Sequence, residues 1–203
     1  MAHAGETSDE RWSGERREIP PGGEVERGPV GPRIYVASLA DYNDGRLHGR
    51  WIDAARETEE LEADVQAMLG SSRLPLAEEW AIHDFEGFGD FRLHEYESLG
   101  TVARLARGIA EHGAVFASWA SLVGTDEYEL GRFEECYLGE FRSMEDFARG
   151  LAEDLGWEKQ LDRVSDGFRA YVSIDYELLG RDLEIELSTT ESGSGGIHVF
   201  DPR

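Results

Sequence analysis

His83, Asp84 and Glu86 crowd together in the chain with His94 and Glu95 close behind, and these residue types are able to move protons or hold a metal. Their spacing works against both roles. Successive side chains on a strand face opposite ways, which separates His83 from Asp84, and neither HExxH nor CxxC spacing occurs. Asp41 to Gly45 (DYNDG) has the look of a calcium loop, but such a loop needs glycine sixth and a bidentate glutamate twelfth, where Gly45 is fifth and Ile52 twelfth. It reads as turn chemistry. There is no GxSxG, GxxxxGK[ST] or helix-opening GxGxxG, Ser192–Gly196 (SGSGG) lacks a phosphate-binding lysine, and Cys136 sits in no nucleophile signature. The expectation is a protein with no catalytic residue, no metal and no cofactor. A hydrolase built on His83, Asp84, Glu86 and His94 is the alternative, since triads are set by geometry rather than by motif.

The other chemistry on offer is the placement of carboxylates. Acids three or four residues apart on one helix face lie about 5–6 Å from each other, comparable with the phosphates of a duplex, which rise by about 3.4 Å per nucleotide and rotate besides. Glu57 with Glu60, Glu60 with Asp64, and Asp182 with Glu186 have this spacing, and Glu59 lies among them. These six are the candidate phosphate-mimicking, partner-binding acids, although any solvated helix face looks similar.

Net charge gives them context. The 203 residues hold 43 acids and 20 bases, a formal charge of −23, against the roughly 2–8 charges that keep a small domain soluble. Residues 1–32 carry 7 acids and 4 bases, residues 33–133 carry 19 and 9, and residues 134–191 carry 16 and 6, so the excess lies on the body and not on a tail. Such a body repels nucleic acid and anionic membrane and attracts basic clefts. Salt-adapted and ordinary acidic proteins share this composition, so charge alone does not choose a function. Of the bases only Lys159 is lysine, which reads as coding preference.

Positioning these groups requires folded elements, and 40% hydrophobic residues supply cores for them. Residues 1–32, rich in proline and glycine and poor in apolar side chains, read as a flexible extension. Ile34–Leu39 predicts a strand, Asn43, Asp44 and Gly45 a turn, and Arg46–Ala54 a return strand, together a hairpin. Leu61, Val65, Met68 and Leu69 form one stripe of a helix over Glu57–Leu69 that Gly70 stops, and a third strand lies around Trp80, Ile82 and Phe85. Helical spacing recurs from Leu99 to Leu122 with a break at Gly113, and an apolar run follows at Cys136, Tyr137 and Leu138. Ser143 N-caps a helix to Leu155, and Phe168–Ile174 and Ile197–Phe200 read as strands. The expected class is α+β: a flexible extension (1–32), an N-terminal α+β module (33–95), a helical middle module (96–133) and a C-terminal α+β module (134–203). One cysteine, no apolar leader and no run near 18 apolar residues predict a soluble, cytoplasmic protein without a membrane partner.

Two blocks carry a resemblance. Arg33–Ala54 (RIYVASLADYNDGRLHGRWIDA) and Glu78–Phe88 (EEWAIHDFEGF) resemble the ArdA antirestriction family, in which a YVASL-like strand, a turn with Asn and Gly, and a GRW.D segment open the domain. The resemblance runs from about Arg33 to Phe200 and loosens beyond Gly124. It implies an elongated chain of small modules, acting as a homodimer whose carboxylates imitate bent B-form DNA and occupy the DNA-binding cleft of a type I restriction-modification enzyme. It implies no direct binding of nucleic acid. Tyr35, Asn43, Gly45, Gly49, Trp51, Trp80 and Phe85 match the family pattern as fold determinants. The competing reading is a general acidic binding module, or a chaperone for basic proteins.

Because residues 1–31 offer no core side chains, their removal is expected to leave the melting temperature unchanged. A loss of several degrees in a thermal melt would make that segment part of the fold.

Overall fold

The computed structural model describes residues 31–203 apart from Leu76 and Ser165, so most of the predicted extension lies outside the described residues. The ordered core begins at Pro32, which is buried and whose carbonyl accepts the Ala54 N–H at 2.9 Å. β1 (Arg33–Ser38) runs into a five-residue helix, α1 (Leu39–Asn43), before Gly45 reverses the chain at φ +80°. The return strand β2 (Gly49–Asp53) pairs antiparallel with β1, Tyr35 opposite Trp51. The predicted hairpin is present, with a helical connection in place of the tight turn and a strand that starts at Gly49, not Arg46. Gly49 is required there, because a Cβ would collide with the Val36 carbonyl.

α2 (Thr58–Gly70) buries Leu61, Val65, Met68 and Leu69, the stripe that the sequence spaces at i, i+4, i+7 and i+8. β3 (Trp80–Glu86) adds to the other side of β1, and the sheet order is β2-β1-β3. Ile34, Val36, Ile52 and Ile82 point to one face and join the helices in the main core, the alternation expected of a sheet covered on one side.

α3 (Leu99–His112) and α4 (Ala114–Val123) form a helical hairpin about Gly113, whose φ of +79° ends one helix and starts the next. They approach closely at Gly108, where any Cβ would overlap the Phe116 ring. α5 (Glu127–Gly131) and α6 (Phe133–Cys136) lead to β4 (Tyr137–Phe141), then α7 (Met144–Asp154), whose N-cap Ser143 accepts the Asp146 N–H at 3.2 Å. α8 (Trp157–Leu161), α9 (Asp166–Arg169) and α10 (Tyr176–Leu183) follow. The strand predicted over Phe168–Ile174 is absent: the segment is α9 and an irregular loop, with Phe168 and Tyr171 exposed to solvent rather than paired. The strand that does form there is β5 (Ser188–Glu191), in hairpin with β6 (Ile197–Phe200) across the Ser192–Gly196 loop, and the second sheet has the order β4-β6-β5.

β6 joins two cores. Phe200 stacks on Trp119 at 5.4 Å and sits in the main cluster, while Val199 faces Met144 and Phe147 in a second cluster under α7 and α10. α7 and α10 touch through Gly180, where a Cβ would lie 2.9 Å from the Met144 carbonyl. The fold is α+β, as expected.

Asp41 is the one fully buried carboxylate among the described residues. It accepts the Ser72 hydroxyl at 2.6 Å, and the Ser38 hydroxyl and Arg46 lie beside it, which together hold its pKa below the ordinary value. A depressed carboxylate contributes stability above its unfolded pKa of about 3.9, and loses it as pH falls through the folded value. Asp41→Asn is therefore expected to lower the melting temperature most above about pH 5, with the gap to the parent chain closing below about pH 4. Repulsion among the other carboxylates is common to both proteins, so a gap independent of pH would overturn this reading.

Candidate partner-binding surface

The candidate acids do not share one environment. Glu59 and Glu60 are exposed on the solvent face of α2, opposite Leu61 and Val65. Glu60 also closes the helix start, its carboxylate accepting the Glu57 N–H at 3.3 Å. Glu57 is exposed but is bonded to Arg107 of α3 at 2.6 Å. Asp64 is half-buried between Arg56, with which it forms a short charge-assisted hydrogen bond, and Arg50 at 3.8 Å; its hydrogen bond is the main reason the Arg56 guanidinium is held above its ordinary pKa. That carboxylate is spent inside the fold.

Asp182 is exposed near the end of α10, and Glu186 lies past that helix in a turn, paired with Arg203 at 2.5 Å. The pair therefore does not occupy one helix face as the i, i+4 spacing predicts, because α10 ends at Leu183. Other acids are exposed and carry no ion pair to a described residue: Glu62, Glu78, Glu79, Glu134, Glu135, Glu153, Asp154 and Glu184. Spacing rules for one helix pass over most of them. The signal available in the sequence was the adjacent acid pair: Glu78-Glu79, Glu134-Glu135 and Glu153-Asp154 all fall at or next to element ends, where both side chains reach solvent.

The residues of the alternative catalytic reading each have their own surroundings. His83 packs edge-on against Tyr42 at 5.0 Å, Asp84 accepts its neighbour's N–H at 2.8 Å, Glu86 pairs with Arg33 at 2.5 Å, and His94 is exposed in a loop. Among the described residues no group of three or more His, Cys, Asp or Glu side chains is arranged to hold a metal ion. Cys136 is fully buried and burial pushes its thiol pKa up, the opposite of what a nucleophile needs. An open cleft of about 500 Å³ beside α3 is lined by Arg104, Arg107, Glu127 and Glu134, but Arg104 is already bonded to Glu127 at 3.0 Å and Arg107 to Glu57. What the described surface presents is exposed carboxylates in excess of the arginines that pair with them.

Residues 34–196, from β1 to the loop before β6, match the family of antirestriction proteins named ArdA. The chain belongs to the ArdA family. No sequence among curated proteins matches it. Membership in ArdA implies an antirestriction function and suggests a restriction enzyme as partner. ArdA proteins are not known as enzymes. Among the described residues of this ArdA member, no helix is long and apolar enough to cross a membrane.

The division between spent and free acids is testable by stability. Asp64→Asn is expected to cost about 1–2 kcal/mol, since it strips a partly buried charged hydrogen bond from Arg56. Glu59→Gln is expected to stay within about 0.5 kcal/mol of the parent in the same denaturant titration. Equal effects would show that Asp64 is as free as Glu59.

Proposed function

We propose that this ArdA protein imitates B-form DNA and inhibits a type I restriction-modification enzyme in the cytoplasm by occupying its DNA-binding cleft, without catalysis. The observation that carries this reading is the exposure of acids such as Glu59, Glu62 and Asp182 without an ion pair to a described residue, on a body whose residues 33–191 hold 35 acids and 15 bases. Glu57 and Glu186 are exposed but offset by Arg107 and Arg203, while Asp64 is paired with Arg56.

Length argues for a homodimer. At one charge per roughly 1.7 Å of duplex, a chain of charge −23 imitates about 39 Å and a pair of chains about 78 Å, near 23 base pairs. A bipartite recognition site needs the longer span. Like charges oppose association, so the contact between copies has to be apolar or arginine-paired.

Phosphate-like binding spreads its energy over many screened contacts of roughly 0.2–1 kcal/mol each, unlike an interface with hot spots. Single amide changes at Glu59, Glu60 or Asp182 are therefore expected to alter inhibition less than about threefold, and removal of six to eight exposed acids together to weaken it by more than about a hundredfold. The measurement is competition with duplex DNA for a purified type I enzyme across a salt series, with a histone-like protein as control and two chains per cleft as the expected stoichiometry. Simultaneous binding of DNA and protein, equal binding to the control, or loss of inhibition from one amide change would each refute mimicry.

A further inference from the structure

A protein that only copied phosphates would meet DNA on equal terms, and the C-terminal unit carries something DNA does not. Tyr171 is 87% exposed, Ile185 82% and Phe168 68%, with Leu178 half-exposed. They fall in two groups. Phe168, Tyr171 and Val172 follow i, i+3, i+4 on and just after α9, where the Tyr171 N–H donates to the Phe168 carbonyl at 2.8 Å, while Leu178 lies on α10 and Ile185 in the turn past its end at Leu183. Both elements are anchored to the α8 region: Arg169 of α9 pairs with Asp162, which caps α8, at 3.5 Å, and the Tyr176 hydroxyl of α10 donates to Glu158 of α8 at 2.5 Å. Gly180 seats the other face of α10 on α7, so the exposed face cannot turn inward.

The charge around these groups selects what covers them. Residues 153–186 hold 10 acids and 4 bases, and Asp182, placed between Leu178 and Ile185, and the adjacent Glu184 are exposed without an ion pair to a described residue. Anionic membrane is repelled by that rim, and a second copy would set the same negative rim against itself. Apolar residues at helical spacing between carboxylates fit a helix that is itself amphipathic and basic.

We propose that the α9–α10 surface seats a basic amphipathic helix of the restriction enzyme, adding to the phosphate-like contacts an apolar one that DNA lacks. This rests on the function proposed above and deepens it. Apolar burial is insensitive to screening, whereas the acid contacts fade with salt, so the two are separable.

The test compares the parent with F168S/Y171S/I185S and with I185S alone, the latter keeping the readout if the triple variant melts early. At about 0.05 M salt the triple variant is expected to inhibit the type I enzyme within about threefold of the parent, and at about 0.5 M to bind at least about tenfold more weakly. A second arm titrates a synthetic helical peptide of alternating leucine and lysine faces, which the parent is expected to bind and the triple variant to lose. Parallel weakening of parent and variants at every salt concentration, or no binding of the peptide, overturns the proposal. So does conversion of a dimer to a monomer by the triple variant, which makes a second copy the occupant, and so does a gain of about tenfold in peptide affinity on removing residues 1–31, which makes that segment the occupant. If the parent binds the peptide and not the enzyme, the antirestriction target falls while the surface stands.

Discussion

Mutual repulsion among carboxylates is the constraint that the rest of this structure answers. Folding brings 23 excess negative charges within a few Debye lengths, about 8 Å each at physiological salt, and that self-repulsion disfavours the compact state. The arginines respond by position more than by number. Arg107 ties α3 to the first turn of α2 through Glu57, Arg104 ties α3 to α5 through Glu127, Arg33 joins β1 to β3 through Glu86, and Arg132 reaches the Pro202 and Arg203 carbonyls at 3.3 and 2.6 Å. Exposed pairs of this kind are worth about 0–1 kcal/mol each, so they cannot hold the fold by themselves. Their effect is to neutralise acids along these seams, while Glu59, Glu62 and Asp182 keep no ion pair to a described residue.

Cohesion comes from the two apolar clusters, and β6 is where they meet. Strand alternation sends Phe200 toward Trp119 and Tyr137 and sends Val199 toward Phe147, so one four-residue strand is shared by both clusters. Phe133 extends the aromatic contacts from Tyr137, at 5.3 Å, to Phe116 at the same distance. A surface proposed to copy a regular phosphate array needs its charges at set spacings, and a continuous packed interior resists the drift that repulsion would otherwise impose.

Much of this was legible in the sequence and the omissions have a common cause. The stripe of α2, the break at Gly113 and the Ser143 cap are local: they depend on periodicity and on backbone groups within four residues, and all three appear where expected. β5 is four polar residues, Ser188–Glu191, and is a strand through its pairing with β6, while Phe168–Ile174 has strand-like composition and joins neither sheet. Among the acids, spacing picked out Glu60 and Asp182, which are exposed, but the arginines that claim Glu57, Asp64 and Glu186 sit 50, 8 and 17 residues away in sequence. Pairing across the fold is invisible to a spacing rule. The family blocks were readable because Gly49 and Trp51 are fixed by contacts of the first hairpin itself, with Tyr35 and Trp51 edge to face at 5.6 Å.

Salt acts on this protein with two opposite signs. Screening weakens the repulsion between carboxylates within the chain, so the folded state gains as ionic strength rises, and it weakens the attraction between those carboxylates and a basic cleft, so the proposed complex loses. A chain of balanced charge faces no such opposition. The bare acids of α2 and of the α7–α10 region therefore cost the fold most under the low-salt conditions in which they would bind best, and the apolar clusters must be stable enough to carry that cost with nothing bound. Occupation of a basic cleft would remove the cost by supplying the missing countercharge, which makes binding and folding mutually reinforcing, as for any ligand that takes only the native state. The acids that the arginines already satisfy, Asp64 above all, gain nothing from such a cleft, and that is the physical line between charge that holds this fold together and charge that is free to act outside it.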